Sequence, residues 1–323
     1  MKRVMISIVA VAVLGGMAAH AGSLREAVPS WAFPVKSRLA PAAPEQDPRL
    51  VEHVAGSTAA YTSGQLQDEH FAPAWFPNEH PPMPKAVAVG NIGGASSCAF
   101  CHQETGEGGP ESAALTGLSV AYITEQVAEF RAGRRRAAEP RMESPHGMEA
   151  ESRTVTPAAL AEAAAYYSRL TYKSRLTVVE SDTAPKVEVH EGFLYARSPA
   201  GGTEPLRERI VELPDDAHQW DLGNSHMRFT VYVPKGSIAR GARLASTGGG
   251  AAPCSSCHGV DFTGTAAAPP LAGRSPSYLA RQLFDIQYGT RTGTTVASMI
   301  PEVAHMTASD RVAIVAYLAS LKP

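Results

Sequence analysis

The chain has 323 residues, and 29 lysines and arginines stand against 31 aspartates and glutamates, for a formal net charge of −2 at pH 7. This balance argues against a nucleic-acid-binding surface, which needs a clustered excess of basic residues. A hydrophobic content of 44% is enough for two or three small cores, so the length fits two domains plus additional structure.

The first 21 residues have the pattern of an export signal. Lys2 and Arg3 precede an apolar run that ends near Met17, and a small-x-small cleavage pattern ends at Ala21. The alternative is an uncleaved membrane anchor, but the apolar run is shorter than the roughly 20 residues that a spanning helix needs. We therefore predict export from the cytoplasm with cleavage after about Ala21.

Residues 22–85 form a predicted proline-rich N-terminal arm. Ten prolines lie between Gly22 and Pro84, and proline restrains both its own φ and the residue before it, so we expect an extended, irregular segment. Six aromatic residues in the same stretch indicate that the arm packs onto one or both of the following domains, because disordered segments are poor in aromatics. His70 and His80 are candidate haem or metal ligands, with surface or packing positions as the alternative.

Two CxxCH motifs account for all four cysteines of the chain, at Cys98–His102 and Cys254–His258. CxxCH is the attachment signature of a c-type haem: both thiols add to the haem vinyl groups, and the adjacent imidazole reaches the iron. For one copy alone, half of a zinc site of Cys and His ligands is the alternative. The second copy favours haem.

The motifs lie in an internal repeat. A shift of 156 residues aligns the copies as far as Arg135 and Arg291, and a shift of 151 aligns the remainder, where Met148 falls on Met299. A thioether is a recognised haem-iron ligand, so these matched methionines are candidate distal ligands, with core packing as the alternative. Two other methionines compete with them but have no methionine counterpart in the other copy, namely Met142 and Met306.

These motifs together resemble the class I c-type cytochrome domain, used twice as in dihaem periplasmic cytochromes. The shared pattern is CxxCH, Leu-x-Gly-x-Ser with a following Tyr, Gln, Gly-x-Arg, a Met and a closing Ala-x-Tyr helix, over residues 86–172 and 234–322. The resemblance implies two covalently bound haem c groups with these attachments: thioether links at Cys98, Cys101, Cys254 and Cys257, proximal ligands His102 and His258, and distal ligands Met148 and Met299.

The resemblance also implies how each proximal histidine is oriented. A ligating imidazole commonly donates its other N–H to a carbonyl or carboxylate, and in this family the acceptor is a main-chain oxygen just before the Leu-x-Gly turn. On this sequence that position is Ala113 in the first copy and Pro269 in the second. For Arg135, matched by Arg291, we expect a structural or haem-propionate role.

The predicted fold class is mainly α, with two class I cytochrome c-like helical haem domains at residues 86–173 and 234–323. Periodicity predicts helices at 120–132, 157–170, 238–246, 277–288 and 308–321. The two methionines are expected in loops, the first one at 140–152. Between the domains, residues 174–233 contain short β-type runs separated by turn residues, which predicts a small β insert.

The sequence favours a periplasmic electron carrier that exchanges electrons with redox partner proteins. Each iron would have a protein ligand on both faces, so we predict no catalytic residues and no nucleic-acid partner. One alternative is a peroxidase-like dihaem oxidoreductase with an open or displaceable distal side at one iron, Met148 being the more labile ligand. The other is a haem-bearing electron-transfer subunit of a dehydrogenase complex. Docking to a membrane respiratory complex or a dehydrogenase is the expected kind of partnership.

Overall fold

The computed structural model of the chain describes residues 26–37 and 46–323. The predicted export signal and its cleavage position lie outside these residues, as does part of the arm. Within the described ranges, no helix has both the length and the apolar composition required to cross a bilayer.

The N-terminal arm packs against several other parts of the chain. The indole Nε1 of the buried Trp75 donates a 2.7 Å hydrogen bond to the carbonyl of Leu222. The ring of Phe33 meets that of Phe284 edge to face, with centroids 5.7 Å apart. The regular elements of the arm are short: β1 (Val51–Glu52), β2 (Tyr61–Thr62), α1 (Ser63–Leu66) and α2 (Lys85–Ala88).

The first motif lies in a small helical domain. Its helices are α3 (Cys98–His102), α4 (Val120–Arg131), α5 (Glu143–Thr154) and α6 (Pro157–Tyr167). Two of them begin at side-chain caps, because the Ser119 hydroxyl accepts from the N–H of Tyr122 and the Thr156 hydroxyl accepts from that of Ala159. Apolar side chains of α4 and α6 pack on those of α2 to form the core.

The loop predicted at 140–152 is wrong, because α5 covers most of it. Pro145 and Gly147 favoured a loop, but Pro145 is the third residue of α5, where a backbone N–H has no partner within the helix. The guanidinium of Arg131 binds the other end, donating to the carbonyls of Ser152 at 2.6 Å and Val155 at 3.0 Å. Met148 therefore lies on a capped helix.

The segment between the haem-motif domains contains three small sheets. A central sheet contains β3 (Leu176–Ser181), β8 (Val211–Pro214) and β9 (Phe229–Pro234) in the order β3-β9-β8, with β3 and β9 parallel and in register at Val178 and Val231. Its inner face joins the core of the second domain. The remaining elements of the segment are, in chain order, β4 (Thr183–Pro185), β5 (Val187–His190), β6 (Leu194–Arg197), β7 (Thr203–Pro205) and α7 (Ala217–Asp221).

The second motif lies in a domain whose first and last helices cross closely. A Cβ on Gly241 would lie 1.9 Å from the carbonyl oxygen of Ala313, so only glycine permits this approach. Met299 ends a 3₁₀ turn, Ala297–Met299, rather than lying in the predicted loop. The helices are α8 (Ser237–Thr247), α9 (Ser255–His258), α10 (Pro276–Gln287), α11 (Ile300–Val303) and α12 (Ala308–Ser320).

Matched residues of the two copies join the domains. The guanidinium of Arg135 donates to the Tyr278 hydroxyl at 2.6 Å, and that of Arg291 donates to the Tyr122 hydroxyl at 3.1 Å. Each arginine also binds the repeat-matched glutamines of both domains. Arg135 and Arg291 form an antiparallel backbone bridge as well. The repeat is therefore also a pseudo-twofold arrangement in space.

Candidate haem-binding sites

Short helices place the three motif side chains of each copy together. In α3, Cys98 and His102 are one helical turn apart, so their side chains project from the same face. In the second motif, the N–H of His258 binds the carbonyl of Cys254 at 3.0 Å, which closes the same turn. All four cysteines are free thiols.

Main-chain carbonyls orient both histidines at the predicted positions. Nδ1 of His102 lies 2.8 Å from the carbonyl oxygen of Ala113, and Nδ1 of His258 lies 2.8 Å from that of Pro269. A carbonyl oxygen only accepts, so Nδ1 carries the hydrogen and Nε2 keeps its lone pair. Burial lowers the pKa of both imidazoles, which favours the neutral form that a metal ligand requires.

Burial keeps the cysteines of the first motif as thiols rather than thiolates. Burial, with a smaller contribution from the Glu151 carboxylate, raises the pKa of Cys98 to about 12. A metal-ligating cysteine must be deprotonated, so this environment favours a covalent bond at sulfur over zinc coordination. In the part of the chain that the structure describes, no group of three or more His, Cys, Asp or Glu side chains could hold a metal ion.

Residues of both CxxCH motifs line one continuous cavity of about 1760 Å³. Pockets for one small ligand have volumes of roughly 300–1,000 Å³, so this cavity has room for two large groups. Together with the oriented imidazoles and the four free cysteines, it fits two covalently attached haem groups. All eight predicted haem-site residues line it, namely Cys98, Cys101, His102, Met148, Cys254, Cys257, His258 and Met299.

The competing methionines are placed differently. Met142 is fully buried in the core that contains Phe284, and it does not line the cavity. Met306 does line the cavity and packs with Met299 in one apolar cluster, so it remains a competing ligand at the second site.

The histidines of the arm lie away from the cavity lining. Nδ1 of His70 is 3.1 Å from the carbonyl of Val89, and Nδ1 of His80 is 2.8 Å from that of Pro81. Neither imidazole lines the cavity, so both have the packing or surface role given as the alternative.

Sequence reasoning missed three glutamates beside the first motif. Glu104, Glu107 and Glu111 all line the cavity, and Glu104 is only 1% exposed. Burial raises the pKa of both Glu104 and Glu111 to about 7. A comparison of the two copies could have drawn attention to them, because these glutamates occur in the first copy only. The matched positions of the second copy have no carboxylate: Val260, Thr263 and Ala267.

Residues from the segment between the domains also line the cavity. Trp220 lies against Gly109, where an added Cβ would come within 2.5 Å of the indole. His190, at the end of β5, binds the Asp221 carboxylate across 2.8 Å, and that hydrogen bond raises the pKa of the imidazole. The first site is therefore bordered by residues outside the helical domains.

A family model matches the part of the chain that contains the second motif. Residues 238–322 match the family model for cytochrome c. A comparison with curated proteins found no match.

Solved structures with a similar chain include a thiosulfate dehydrogenase from Marichromatium purpuratum, with 25% identity over 72% of this chain and a TM-score of 0.47. The match spans 38% of the length of that enzyme. Cytochrome c4 from Acidithiobacillus ferrooxidans has 19% identity and a TM-score of 0.44, and the match covers 69% of this chain and 98% of that one. Cytochrome c4 from Pseudomonas stutzeri has 18% identity and a TM-score of 0.41, with coverages of 69% and 93%.

Proposed function

We propose that this chain is a class I c-type cytochrome that binds two haem c groups and carries electrons between redox partner proteins. One observation supports this most directly: each motif histidine lines the cavity together with a methionine from a separate element. These methionines are Met148 of α5 and Met299 of the 3₁₀ turn. When bound, haem supplies a reversible one-electron couple at iron.

The residues of the chain would attach the haem groups and keep the iron coordination closed. Nε2 of His102 and of His258 would bind iron, and the carbonyls of Ala113 and Pro269 hold the two imidazole rings in place. Met148 and Met299 would supply the second protein ligand of each iron, and a methionine ligand raises the reduction potential relative to a second histidine. With both ligands supplied by the protein, water and small substrates would be excluded from the metal.

The proposal places the mature protein in the periplasm, after cleavage near Ala21. Its partners would be a donor and an acceptor protein, which a membrane respiratory complex or a dehydrogenase could provide. The arm and the segment at residues 174–233 give the chain contact surface beyond the two haem-motif domains.

Visible spectra of the exported, haem-loaded protein test this function. We expect two haem groups per chain, a methionine-to-iron charge-transfer band in the oxidised form, and no change of the reduced spectrum under carbon monoxide. Carbon monoxide binding at one haem, or catalytic turnover with thiosulfate or peroxide, would contradict a simple carrier and favour a dihaem oxidoreductase.

Methionine variants test the ligand assignment. Met148→Ala and Met299→Ala should each abolish about half of the charge-transfer band and open one iron to carbon monoxide. Met142→Leu is the matched control, because this buried methionine lies outside the cavity lining. If Met306→Leu abolishes half of the band and Met299→Ala does not, the second ligand is Met306.

A further inference from the structure

The loop that orients the first proximal histidine is held by arginines from outside its own domain. This proximal loop, residues 103–116, contains the Ala113 carbonyl that binds His102. Arg274 of the second domain donates to the carbonyls on the helix α4 side of it, Ala114 at 2.8 Å and Thr116 at 2.9 Å. Two further guanidinium contacts hold the other side, Arg281 to the Pro110 carbonyl and Arg175 to the Gly108 carbonyl.

These contacts place buried positive charge beside the first site. Arg274 and Arg281 are 5% and 3% exposed, and both line the cavity. Carboxylates act on Arg281, chiefly Asp285 and Glu111. Arg274 instead has mainly tyrosines around it, and its guanidinium stacks 4.5 Å from the ring centroid of Tyr172. Glu107 is the carboxylate that acts on Arg274, so the charge of Arg274 is less compensated than that of Arg281.

Among the residues that the structure describes, the second proximal histidine has no equivalent of this arrangement. In the repeat, the positions that match Arg274 and Arg281 are Leu118 and Glu125, and neither is basic. Both loops share a matched backbone hydrogen bond of 2.8 Å, from the N–H of Leu115 to the carbonyl of Gly106 in the first and from that of Leu271 to that of Phe262 in the second, so the arginine contacts are what distinguishes the first loop. The arginine contacts therefore break the pseudo-twofold symmetry.

We propose that Arg274 is a positioning residue through which the second domain fixes the Ala113 carbonyl against His102 and raises the reduction potential of the first haem above that of the second. The inference rests on the proposed haem ligation. Oxidation adds positive charge at the iron, and a buried cation nearby opposes it with little screening by solvent. Hydrogen bonds and charges around an axial ligand are established determinants of haem potential.

The test is a spectroelectrochemical titration of the haem-loaded full chain. Arg274→Gln, which removes the charge, should lower the equilibrium constant for reduction of the first haem at least tenfold, or about 59 mV for one electron. The second haem should change by less than twofold. Met148→His and Met299→His, which replace a methionine ligand by histidine, assign each step to its haem.

Two further variants separate charge from folding effects. Arg274→Lys keeps the charge but loses the two-carbonyl geometry, so the first haem should recover part of its potential. Arg240→Gln removes a charge whose partners are Ser309 and Asp310, away from the proximal loop, and should leave both steps unchanged. Equal shifts at both haems in Arg274→Gln, or a first-haem shift as large in Arg240→Gln, would overturn the proposal. Even if the Arg274 proposal fails, two reversible one-electron steps without carbon monoxide binding would still support the proposed carrier function.

Discussion

At the scale of single residues, the carboxyl group of Glu111 is the clearest case of a charge disfavoured by its surroundings. Burial raises its pKa to about 7, with attraction from Arg281 and repulsion from Glu212 as smaller opposing effects. Its Oε2 is a buried atom without a hydrogen-bond partner in the structure. The folded protein therefore keeps a proton on Glu111 at a pH where the unfolded chain has released it.

The raised pKa of Glu111 predicts how the free energy of unfolding depends on pH. A carboxyl group whose pKa is raised on folding favours the folded state below its ordinary pKa, and that contribution is lost as the pH rises through the folded value. Between about pH 4.5 and 8, the haem-loaded wild type should lose roughly 2–3 kcal/mol more unfolding free energy than Glu111→Gln. Guanidinium unfolding across this range measures the difference. Glu188→Gln, an exposed position, is the control, and parallel curves for wild type and Glu111→Gln would contradict the assignment.

Sequence reasoning reached the histidine acceptors but not the buried glutamates. The resemblance to the class I cytochrome domain implied Ala113 and Pro269, and a main-chain acceptor can be carried over in this way because it does not depend on the residue type. Burial of Glu104 or Glu111 depends on what packs over the loop, and glutamate is a residue type that is rarely buried. No local pattern could therefore predict it.

At the scale of elements, α5 determines where Met148 lies. The last residue of α4, Arg131, binds two carbonyls at the C-terminal end of α5, which would otherwise lack intrahelical partners. A cation there also interacts favourably with the helix dipole. One side chain thus links the amphipathic helix to the helix that carries the proposed ligand.

Loss of this cap should loosen the methionine before the whole domain unfolds. Arg131→Gln should reduce the stability of α5 by roughly 0.5–1 kcal/mol. In the oxidised protein, the methionine charge-transfer band of the first haem should then fade at a lower temperature than in wild type. Arg153→Gln serves as the matched control, since Arg153 lies in the last turn of α5 with its side chain exposed. Equal midpoints for the two variants would show that the cap does not support Met148.

The elements that could be predicted are those with strong periodicity and capping residues. The helix predicted at 120–132 is α4, and the one predicted at 308–321 is α12, each displaced by a residue at most at either end. The α5 segment was missed because Pro145 and Gly147 dominate its local pattern. Arg131 binds the C-terminal end of this helix, a tertiary contact that the sequence does not show.

At the scale of the whole molecule, residues that the repeat matches form the interface between the two domains. The sequence matched Arg135 with Arg291 and Tyr122 with Tyr278, but each arginine binds the tyrosine of the other copy. A repeat aligns equivalent positions and does not show which of them meet across a symmetry axis. The Arg274 contacts with the first domain could not be predicted from the sequence either, because they join residues about 160 positions apart.

The paired tyrosines give a test of this interface. Tyr278→Phe removes the 2.6 Å hydrogen bond from Arg135 and should cost roughly 1.5–3 kcal/mol, the usual contribution of a hydrogen bond to a charged group. Tyr122→Phe should cost less, because its bond from Arg291 is longer at 3.1 Å. Tyr232→Phe is the control, since its hydroxyl accepts a long, solvent-exposed hydrogen bond of 3.4 Å from Arg197. Guanidinium unfolding, followed by far-UV circular dichroism and haem absorbance together, should show one shared transition at a lower midpoint for both interface variants. Losses no larger than that of Tyr232→Phe would mean that apolar packing and backbone contacts join the domains, and the paired arginines contribute little to their association.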